Sequence, residues 1–379
     1  MKRVGVIGGG QLAWMMGDAA KKLGVKLVVQ TPSKDDPAVS IAQDKVFAAV
    51  YDAIATKILA TKSDVITFEN EFVNLDALSV LAQEGVCFRP SLTALAPLLD
   101  KYHQRCYLRD LNLPVPPFFA LEQQEEDIAS KIEYLDFPLV LKSRRHGYDG
   151  QGTFIIQDLA TLQQKLNSYN ISLFLIEKFV PFARELAVIA ARSVEGKVVT
   201  YPVVETQQEQ QVCRRVIAPA DITLNQAAEI EAIAHTLLNS LHAVGVFGIE
   251  LFLTTDGQVL VNEIAPRTHN SGHFSLDACE TSQFEQHLRA VCGLTLGNPA
   301  LQCASAVMVN LLGYENSHSD YHSQRQKLAA IPHAFVHWYG KTESRPGRKL
   351  GHVTVLLDAQ NQDTASAIAY NIESIWYPS

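Results

Sequence analysis

At 379 residues the chain exceeds the length at which a single hydrophobic core stops growing, so two or three domains are expected. Hydrophobic residues make up 47% and charged residues 19%. The formal net charge of −8 argues against a nucleic-acid-binding surface, which needs clustered Lys and Arg, so any basic patch must be local. No apolar run reaches the roughly 18 residues of a membrane span, and the six cysteines show no CxxC pair or zinc-type spacing. We therefore expect a cytoplasmic protein with reduced thiols.

The N-terminal segment predicts half of a doubly wound βαβ unit over residues 3–30. Gly8, Gly10 and Ala13 match the G-x-G-x-x-G/A dinucleotide fingerprint. However, the second strand ends in Gln30-Thr31 and lacks the acidic residue that a NAD site needs. We therefore expect no NAD site, and the alternative use of the turn is to hold a phosphate at a helix N-terminus.

Two further segments precede the first domain boundary. Residues 64–71 predict a strand ending in acids, where Glu69 and Glu71 either contact a ligand or lie in a solvated loop. Residues 91–113 have a helical pattern with Lys101, Arg105 and Arg109 on one face, which is typical of a solvated surface. The proline-rich run NLPVPP then indicates a boundary.

A glycine-rich segment follows the predicted strand 138–142. Three glycines lie within residues 147–152, and Lys142, Arg144 and Arg145 precede them in an otherwise acidic chain. Such a backbone-rich flap can wrap a phosphate, although it leads into a strand and is therefore not a Walker A loop. The alternative is a plain glycine-rich hairpin.

The next apolar run, residues 172–180, is a candidate nucleobase site. Backbone groups from Glu177 to Val180 could bind a base edge, while Glu177 or Lys178 meets its amine or the ribose. Glu185 follows inside another apolar strand. Helix 226–242 has an apolar stripe at the helical period, which predicts core packing only.

Residues 248–264 predict a β-hairpin around an Asp256-Gly257 turn. If the turn has two residues, Glu250 lies directly opposite Glu263. Because like charges at that distance repel, the pair favours a cation such as Mg²⁺, which prefers oxygen ligands. The alternatives are that both carboxylates are solvated, or that a longer turn shifts the register.

Two polar segments complete the candidate site. Residues 265–273 carry an Arg, an Asn and two His that could face the same cavity as Glu263. Farther on, Lys341, Arg348 and Lys349 form a local basic patch suited to a phosphate monoester. A simple charged turn is the alternative for that patch.

Six motifs together resemble one family of the ATP-grasp superfamily, the 5-(carboxyamino)imidazole ribonucleotide synthases. In order they are GGGQL at 8–12, GYDGQG at 147–152, NEIAPRTHNSGH at 262–273, SQFEQHLRAVCG at 282–293, HWYGK at 337–341 and RPGRKLGH at 345–352. They span essentially the whole chain. The resemblance implies an α/β ATP-grasp fold with an N-terminal Rossmann-like pre-ATP-grasp domain and a small C-terminal domain.

The resemblance also implies four units. They are the pre-ATP-grasp domain at 1–95, the small ATP-grasp subdomain with flap and entry helix at 96–185, the large subdomain with the metal site at 186–300, and a C-terminal domain closing the ribonucleotide site at 301–379.

The implied reaction is a carboxylation in de novo purine biosynthesis. ATP and bicarbonate would form carboxyphosphate, and the amine of 5-aminoimidazole ribonucleotide would take up the carboxyl group, giving ADP, phosphate and 5-(carboxyamino)imidazole ribonucleotide. Mg²⁺ would be needed with ATP as co-substrate, and neither NAD nor biotin. The resemblance further implies a homodimer and a hand-off of product to carboxyaminoimidazole ribonucleotide mutase.

Roles carry over to matching positions. ATP binding is implied for Lys101, Lys142, Gly147, Tyr148, Asp149, Gly150, Gln151, Gly152, Glu177, Lys178, Phe179, Val180, Glu185, Asn262 and Glu263. Ribonucleotide binding is implied for Tyr148, Asp149, Arg267, Asn270, Lys341 and Arg348, catalysis for Asp149, Lys341 and Arg267, and metal binding for Glu250 and Glu263. Departures from the family pattern are Gln151, where Arg or Lys is common, and Gln207 or Gln208, where His is expected.

Three other functions stay open on the sequence. A formyl-phosphate-using ribonucleotide transformylase would share the fold and differ mainly in the acceptor pocket. A nicotinamide oxidoreductase is disfavoured by Gln30-Thr31. A catalytically silent nucleotide sensor is disfavoured by the paired glutamates, because a sensor has no need of two opposed carboxylates.

Overall fold

The fold is taken from a computed structural model. It describes residues 1–120, 132, 134–145, 152–168 and 173–377. Among these residues, no helix has the length and apolar character required to cross a bilayer.

The N-terminal part contains a parallel four-stranded sheet in the described chain, and its first two strands with the helix between them confirm the βαβ unit predicted over residues 3–30. Its strands are β1 (Arg3–Ile7), β2 (Lys26–Thr31), β3 (Asp44–Phe47) and β4 (Val65–Phe68), in the order β3-β2-β1-β4. Helices α1 (Gln11–Leu23), α2 (Ala53–Lys62) and α3 (Leu75–Gln83) accompany them. Gly24 ends α1 in the left-handed region at φ +64°, which suits glycine.

The single helix predicted over residues 91–113 is wrong. The chain instead forms α4 (Leu92–Leu95), a 3₁₀ turn (Ala96–Leu98) and α5 (Lys101–Asp110). Pro97 lies in the 3₁₀ turn. Asp100 then begins α5 because its carboxylate accepts the backbone N–H groups of Tyr102 and His103 at 2.9 and 3.3 Å.

A small antiparallel sheet follows the proline-rich run. It contains β5 (Phe118–Ala120), β6 (Leu139–Ser143), β7 (Thr153–Ile156) and β8 (Phe174–Lys178), in the order β5-β8-β6-β7. Helix α6 (Leu159–Ser168) connects β7 towards β8. The predicted strand before the glycine-rich segment is thus confirmed as β6, with Lys142 near its end.

A nine-stranded sheet dominates the rest of the described chain. Its strands are β9 (Phe182–Arg192), β10 (Val198–Thr200), β11 (Val204–Glu209), β12 (Val212–Ala218), β13 (Gly245–Thr254), β14 (Val259–Ala265), β15 (Ser305–Leu312), β16 (Ala334–Trp338) and β17 (Lys349–Leu357). The helices are α7 (Leu224–Ser240), α8 (Ser275–Ala278), α9 (Gln283–Cys292), α10 (His322–Ala329) and α11 (Gln362–Trp376).

The C-terminal strands continue this sheet. Strand β15 pairs with β12, and β17 lies between β15 and β16. The sheet therefore crosses the predicted boundary at residue 300 without interruption. The four domain boundaries themselves stay predictions.

Helix α7 confirms the prediction of a core-facing stripe. Ile230, Ile233, Ala234 and Leu237 are buried in one cluster with residues of β9, β13 and β14. The helix therefore packs against the strands that carry the candidate carboxylates, Glu250 and Glu263.

We expect Leu237→Ala to lower the free energy of unfolding by about 2–5 kcal/mol, because it removes buried methyl groups and leaves a cavity. Leu224→Ala in the same helix is the matched control, since Leu224 is 89% exposed and its loss should change stability by less than about 0.5 kcal/mol. Urea denaturation midpoints measure both, and equal midpoints would contradict the assignment of this helix face to the core.

Candidate active site

The hairpin of β13 and β14 brings two glutamates together as predicted, but for a different reason. Glu250 pairs with Glu263 in the register. The turn is longer than the two-residue turn assumed from the sequence, because the N–H of Thr254 donates to Gln258 O at 2.9 Å and closes a three-residue loop. That loop alone would shift the register by one residue.

A β-bulge restores the pairing. Leu251 pairs with Val261 while Glu250 pairs with Glu263, so Asn262 is the extra residue of β14. Because a bulge turns two successive side chains towards one face, Asn262 and Glu263 both lie beside Glu250. Asn262 Nδ2 approaches Glu250 Oε2 at 3.4 Å.

The two carboxylates have different electrostatic surroundings, although the Glu250 and Glu263 side chains are 30% and 41% exposed to the cleft. Desolvation, followed by repulsion from Glu263, raises the pKa of Glu250 to about 7. Desolvation also works to raise the pKa of Glu263, but the Lys101 ammonium group overcomes it and holds that pKa below its ordinary value. Glu263 is therefore ionised at neutral pH, whereas the Glu250 carboxyl group ionises near neutrality.

Two lysines reach this acidic pair from separate elements. Lys101, the first residue of α5, forms an ion pair with Glu263. Lys142 of β6 donates to Asn262 Oδ1 at 3.0 Å and lies 2.6 Å from Glu177 Oε2. Cationic and anionic groups thus alternate across the cleft, as a site for a metal and polyphosphate requires.

Glu177 lies in a buried charge cluster. Arg105 and Lys142 pair with its two carboxylate oxygens, and the Arg105 and Glu177 side chains are only 3% and 2% exposed. Burial works to raise the pKa of Glu177, but the two cations lower it to about 2. The prediction that Arg105 is solvated is therefore wrong, because β8 presents a buried carboxylate to it; Arg109, one turn on, is exposed.

The other predicted hinge positions lie around this cluster. Lys178 is exposed and its backbone N–H donates to Pro117 O at 2.9 Å, whereas Val180 is buried. On β9, burial raises the pKa of Glu185 to about 7, although Lys142 opposes the shift. Phe179 is half-buried between Lys178 and Val180.

Most of the predicted flap lies outside the described residues. Gly147, Tyr148, Asp149, Gly150 and Gln151 are in that group. Gly152, which the structure does describe, has φ +80°, and its carbonyl accepts the N–H of Ser143 at 2.7 Å.

Arg267 is held by a bidentate ion pair. Its Nε and Nη2 atoms donate to the two carboxylate oxygens of Glu71 at 2.6 and 2.9 Å. Of the two acids that follow β4, Glu71 is therefore the one that anchors the loop 265–273, through Arg267. Desolvation works to raise the pKa of Glu71, but Arg267 lowers it, so the pair stays charged.

Two further residues of that loop, His269 and Asn270, have buried contacts through uncharged side chains. Burial, assisted by Arg267, lowers the pKa of His269 to about 3, and its Nε2 lies 3.4 Å from Glu250 Oε1. Asn270 is buried and exchanges two amide hydrogen bonds with Asn310, at 2.9 and 2.7 Å. Its assigned role in ribonucleotide binding stays a prediction, because this side chain serves the packing of the loop against β15.

The GGGQL turn holds a carboxylate of the protein itself. Desolvation raises the pKa of Glu69 to about 7, opposed by Arg267 and by the backbone N–H of Gly10. A Cβ atom at Gly8 or Gly10 would collide with this carboxylate. The glycine spacing thus accommodates Glu69 at the start of α1, which explains the fingerprint without NAD.

The basic C-terminal loop reaches the same turn. Lys341 Nζ donates to Gln11 Oε1 and to Lys349 O. Arg348 Nη1 donates to Glu343 O at 2.7 Å. The structure therefore brings the first and last motifs of the chain together, which spacing along the sequence could not reveal. The sequence did not predict the contacts that Arg105, Asn310 and Gln11 make in the folded chain.

Comparison with known families first defines the class. The ATP-grasp domain model matches residues 106–284. Before it, a ribonucleotide synthetase preATP-grasp domain matches residues 1–97, and after it a phosphoribosylaminoimidazole carboxylase C-terminal domain matches residues 306–366. The predicted fold is thereby confirmed, and the chain is an ATP-grasp ligase.

Individual relatives narrow the class. The N5-carboxyaminoimidazole ribonucleotide synthase of Synechocystis is 54% identical, over 99% of this chain and 98% of the relative. A solved ADP complex of N5-carboxyaminoimidazole ribonucleotide synthetase superposes with TM-score 0.90 at 35% identity, covering 99% and 97% of the two chains. The Aspergillus clavatus enzyme with ADP and 5-aminoimidazole ribonucleotide gives TM-score 0.90 at 31% identity, over 99% and 98%. The chain belongs to the N5-carboxyaminoimidazole ribonucleotide synthase family.

The buried cluster generates a stability prediction. Arg105→Met should lower the free energy of unfolding by about 3–5 kcal/mol, because Glu177 keeps only one of two cationic partners in a buried site. Arg109→Met, on the same helix and exposed, is the control and should cost less than about 0.5 kcal/mol. Urea denaturation at neutral pH compares the two variants with the parent chain.

The difference between the parent chain and Arg105→Met should also depend on pH. Because the pKa of Glu177 is about 2 in the folded chain and 4.5 ordinarily, its stabilisation is complete above pH 4.5 and is lost as pH falls through 2. The difference between the denaturation midpoints should therefore be constant at neutral pH and should shrink progressively as pH falls from 4.5 towards 2. A difference that does not change over this range would contradict the assignment.

Proposed function

We propose that this chain couples ATP cleavage to carboxylation of the amine of 5-aminoimidazole ribonucleotide, in purine biosynthesis. Bicarbonate oxygen attacks the γ-phosphorus of ATP, the bond to ADP breaks, and carboxyphosphate forms. The exocyclic amine then attacks the carboxyl carbon, phosphate leaves, and the amine loses one proton to give the carbamate. Membership of the synthase family supports this reaction.

The observation that carries the proposal is the bulged hairpin. Glu250 and Glu263 face each other in the register with Asn262 beside them, and Lys101 and Lys142 contact Glu263 and Asn262, respectively. Phosphoryl transfer depends mainly on such positioning and charge stabilisation. No similar set of facing carboxylates and lysines is needed to bind a nucleotide passively.

The donor set fits Mg²⁺. Carboxylate oxygens of Glu250 and Glu263 are hard ligands, and both side chains are open to the cleft. Bound Mg²⁺ would neutralise charge on the ATP phosphates. The Glu250 carboxyl, with its pKa near 7, would have to lose its proton to serve as a ligand.

We assign Lys101 and Lys142 to the phosphates of ATP. Lys101 now pairs with Glu263, and Lys142 with Glu177 and Asn262. A polyphosphate entering the cleft would share these cations. We also propose the remaining ATP-binding assignments: residues 147–152 at the phosphates, Lys178, Phe179 and Val180 at the base or ribose, and Glu185 as a further ATP contact.

The acceptor end is assigned to the loop 265–273 and the C-terminal basic loop. We assign ribonucleotide binding to Tyr148, Asp149, Arg267, Asn270, Lys341 and Arg348, with Asp149 orienting or deprotonating the amine and Lys341 and Arg267 assisting catalysis. The contact between Lys341 and Gln11 supports a site shared by the C-terminal loop and the N-terminal domain.

Three broader assignments complete the proposal. We propose a cytoplasmic enzyme that uses bicarbonate and passes its labile product to carboxyaminoimidazole ribonucleotide mutase. We also propose a homodimer. Exposed apolar side chains of the N-terminal domain support self-association: Phe47, Tyr51, Ile54, Ile58 and Val80.

Phosphate release from ATP tests the reaction and the metal site together. The parent chain should release phosphate rapidly only when Mg²⁺, bicarbonate and 5-aminoimidazole ribonucleotide are all present. Glu263→Gln should lower the rate by about 100-fold or more, because it removes a charged ligand at the transferred phosphate. Glu229→Gln, on the exposed face of α7, is the matched control and should retain the parent rate.

Each arm of this assay has a distinct meaning. No stimulation by the ribonucleotide would overturn the proposed acceptor. Stimulation by formate instead of bicarbonate would indicate a transformylase of the same fold. Full activity of Glu263→Gln would place the metal elsewhere.

The basic loop is tested separately. Arg348→Ala should raise the KM for 5-aminoimidazole ribonucleotide by about 10-fold or more and leave the KM for ATP near its parent value, because a guanidinium group bound to phosphate is lost. Arg345→Ala is the control in the same loop, since Arg345 is exposed. Equal effects on both KM values would contradict the assignment of Arg348 to the ribonucleotide.

A further inference from the structure

A second cluster of potential metal ligands lies next to the loop 265–273. His337 of β16 and His352 of β17 are register partners, and their rings stack with centroids 4.5 Å apart. Asp277 of α8 contacts the same cluster, with its Oδ2 2.8 Å from His337 Nε2. One ligand atom from each of the three residues lies within 4.8 Å of the other two.

His352 carries an unsatisfied polar atom. Its Nδ1 contacts the Tyr339 hydroxyl at 2.8 Å, but its Nε2 is buried and finds no hydrogen-bond partner among the described residues. Buried polar atoms without partners are rare and call for an explanation such as an ion or water. The His337 side chain is 25% exposed, so the cluster is accessible from solvent.

We propose that Asp277, His337 and His352 bind a divalent first-row transition metal ion, of which Zn²⁺ is the best fit. Two imidazoles and a carboxylate are typical zinc ligands, and water can supply the fourth position of a tetrahedron. The set differs from the oxygen-rich pair Glu250 and Glu263, which suits Mg²⁺.

The surroundings have the form of a metal site. Imidazoles that bind a metal through one nitrogen commonly hydrogen-bond through the other, as His352 does with Tyr339. With metal–ligand distances of about 2.0–2.1 Å, ligand atoms of a tetrahedral zinc lie about 3.3 Å apart. Atom pairs that are now up to 4.8 Å apart would need to close by about 1.5 Å, whereas Asp277 Oδ2 and His337 Nε2, at 2.8 Å, would need to separate by about 0.5 Å.

Binding at this cluster would connect two parts of the chain. Asp277 lies in the region matched by the ATP-grasp domain, and both histidines lie in the region matched by the C-terminal domain. An ion there would fasten β16 and β17 to α8. Because a ligand that binds only the folded chain stabilises it, Zn²⁺ should raise the melting temperature.

Cobalt binding tests the proposal directly. Chelator-treated, tag-free full-length chain is titrated with Co²⁺, whose visible absorption reports tetrahedral nitrogen and oxygen ligands, and Zn²⁺ is then added as competitor. We expect one saturable ion per chain with visible absorption that Zn²⁺ removes, together with a Zn²⁺-dependent rise in melting temperature. Glu263→Gln should retain both signals, which separates this site from the proposed magnesium site.

Variants identify the ligands. His337→Gln should lose the visible signal and the thermal shift, while a glutamine can still donate to Asp277; Asp277→Asn is the second variant if the first fails to fold. Tyr339→Phe should weaken Co²⁺ binding by about 10- to 100-fold, because it removes the hydrogen bond that orients His352. His322→Gln, at an exposed position of α10, is the control and should bind as the parent does.

Two results would overturn the proposal. One is a parent chain that shows no saturable Co²⁺ signal and no thermal shift with Zn²⁺. The other is binding of equal strength in the parent chain, His337→Gln and Asp277→Asn. Neither result affects the carboxylation assay, so the proposed metal site and the proposed reaction are tested independently.

Discussion

The candidate site depends on one extra residue in β14. Asn262 forms a bulge that offsets the three-residue turn, and without it Glu263 would not lie opposite Glu250. A one-residue slip moves every side chain of a strand to the other face of the sheet. The bulge therefore decides whether the two carboxylates meet in the cleft, and it brings the Asn262 amide to the same place.

Opposite charges then hold the elements around this hairpin. Lys101 at the start of α5 pairs with Glu263, and Lys142 of β6 bridges Asn262 and Glu177. Behind them, Arg105 completes the neutralisation of Glu177 inside the protein. Since an unpaired buried charge is costly, these groups constrain one another. The small sheet is linked to the large one by the Lys142–Asn262 hydrogen bond and by the ion pairs that α5 forms with both sheets.

The N-terminal turn shows that a glycine pattern can have a cause inside the protein. Gly8, Gly10 and Ala13 satisfy a dinucleotide fingerprint, yet the space the glycines leave is occupied by the Glu69 carboxylate. The missing acid after β2 was the sequence signal against NAD. What fills the turn instead comes from the end of β4, 59 positions after Gly10 along the chain but adjacent in the parallel sheet.

The sequence by itself determined the N-terminal βαβ unit, the hairpin of β13 and β14, the apolar face of α7, the strand that delivers Lys142 and the family motifs, because these follow from local periodicity, turn residues and spacing. Tertiary structure alone decided that Arg105 is buried, that Glu71 holds Arg267, that Asn270 pairs with Asn310 and that Lys341 reaches Gln11. These contacts join residues far apart in the chain, so their energies depend on burial and on partners that no local pattern encodes. The pairing of Glu250 with Glu263 belongs to both: the turn residues predicted the hairpin, and only the folded strand revealed the bulge that sets its register.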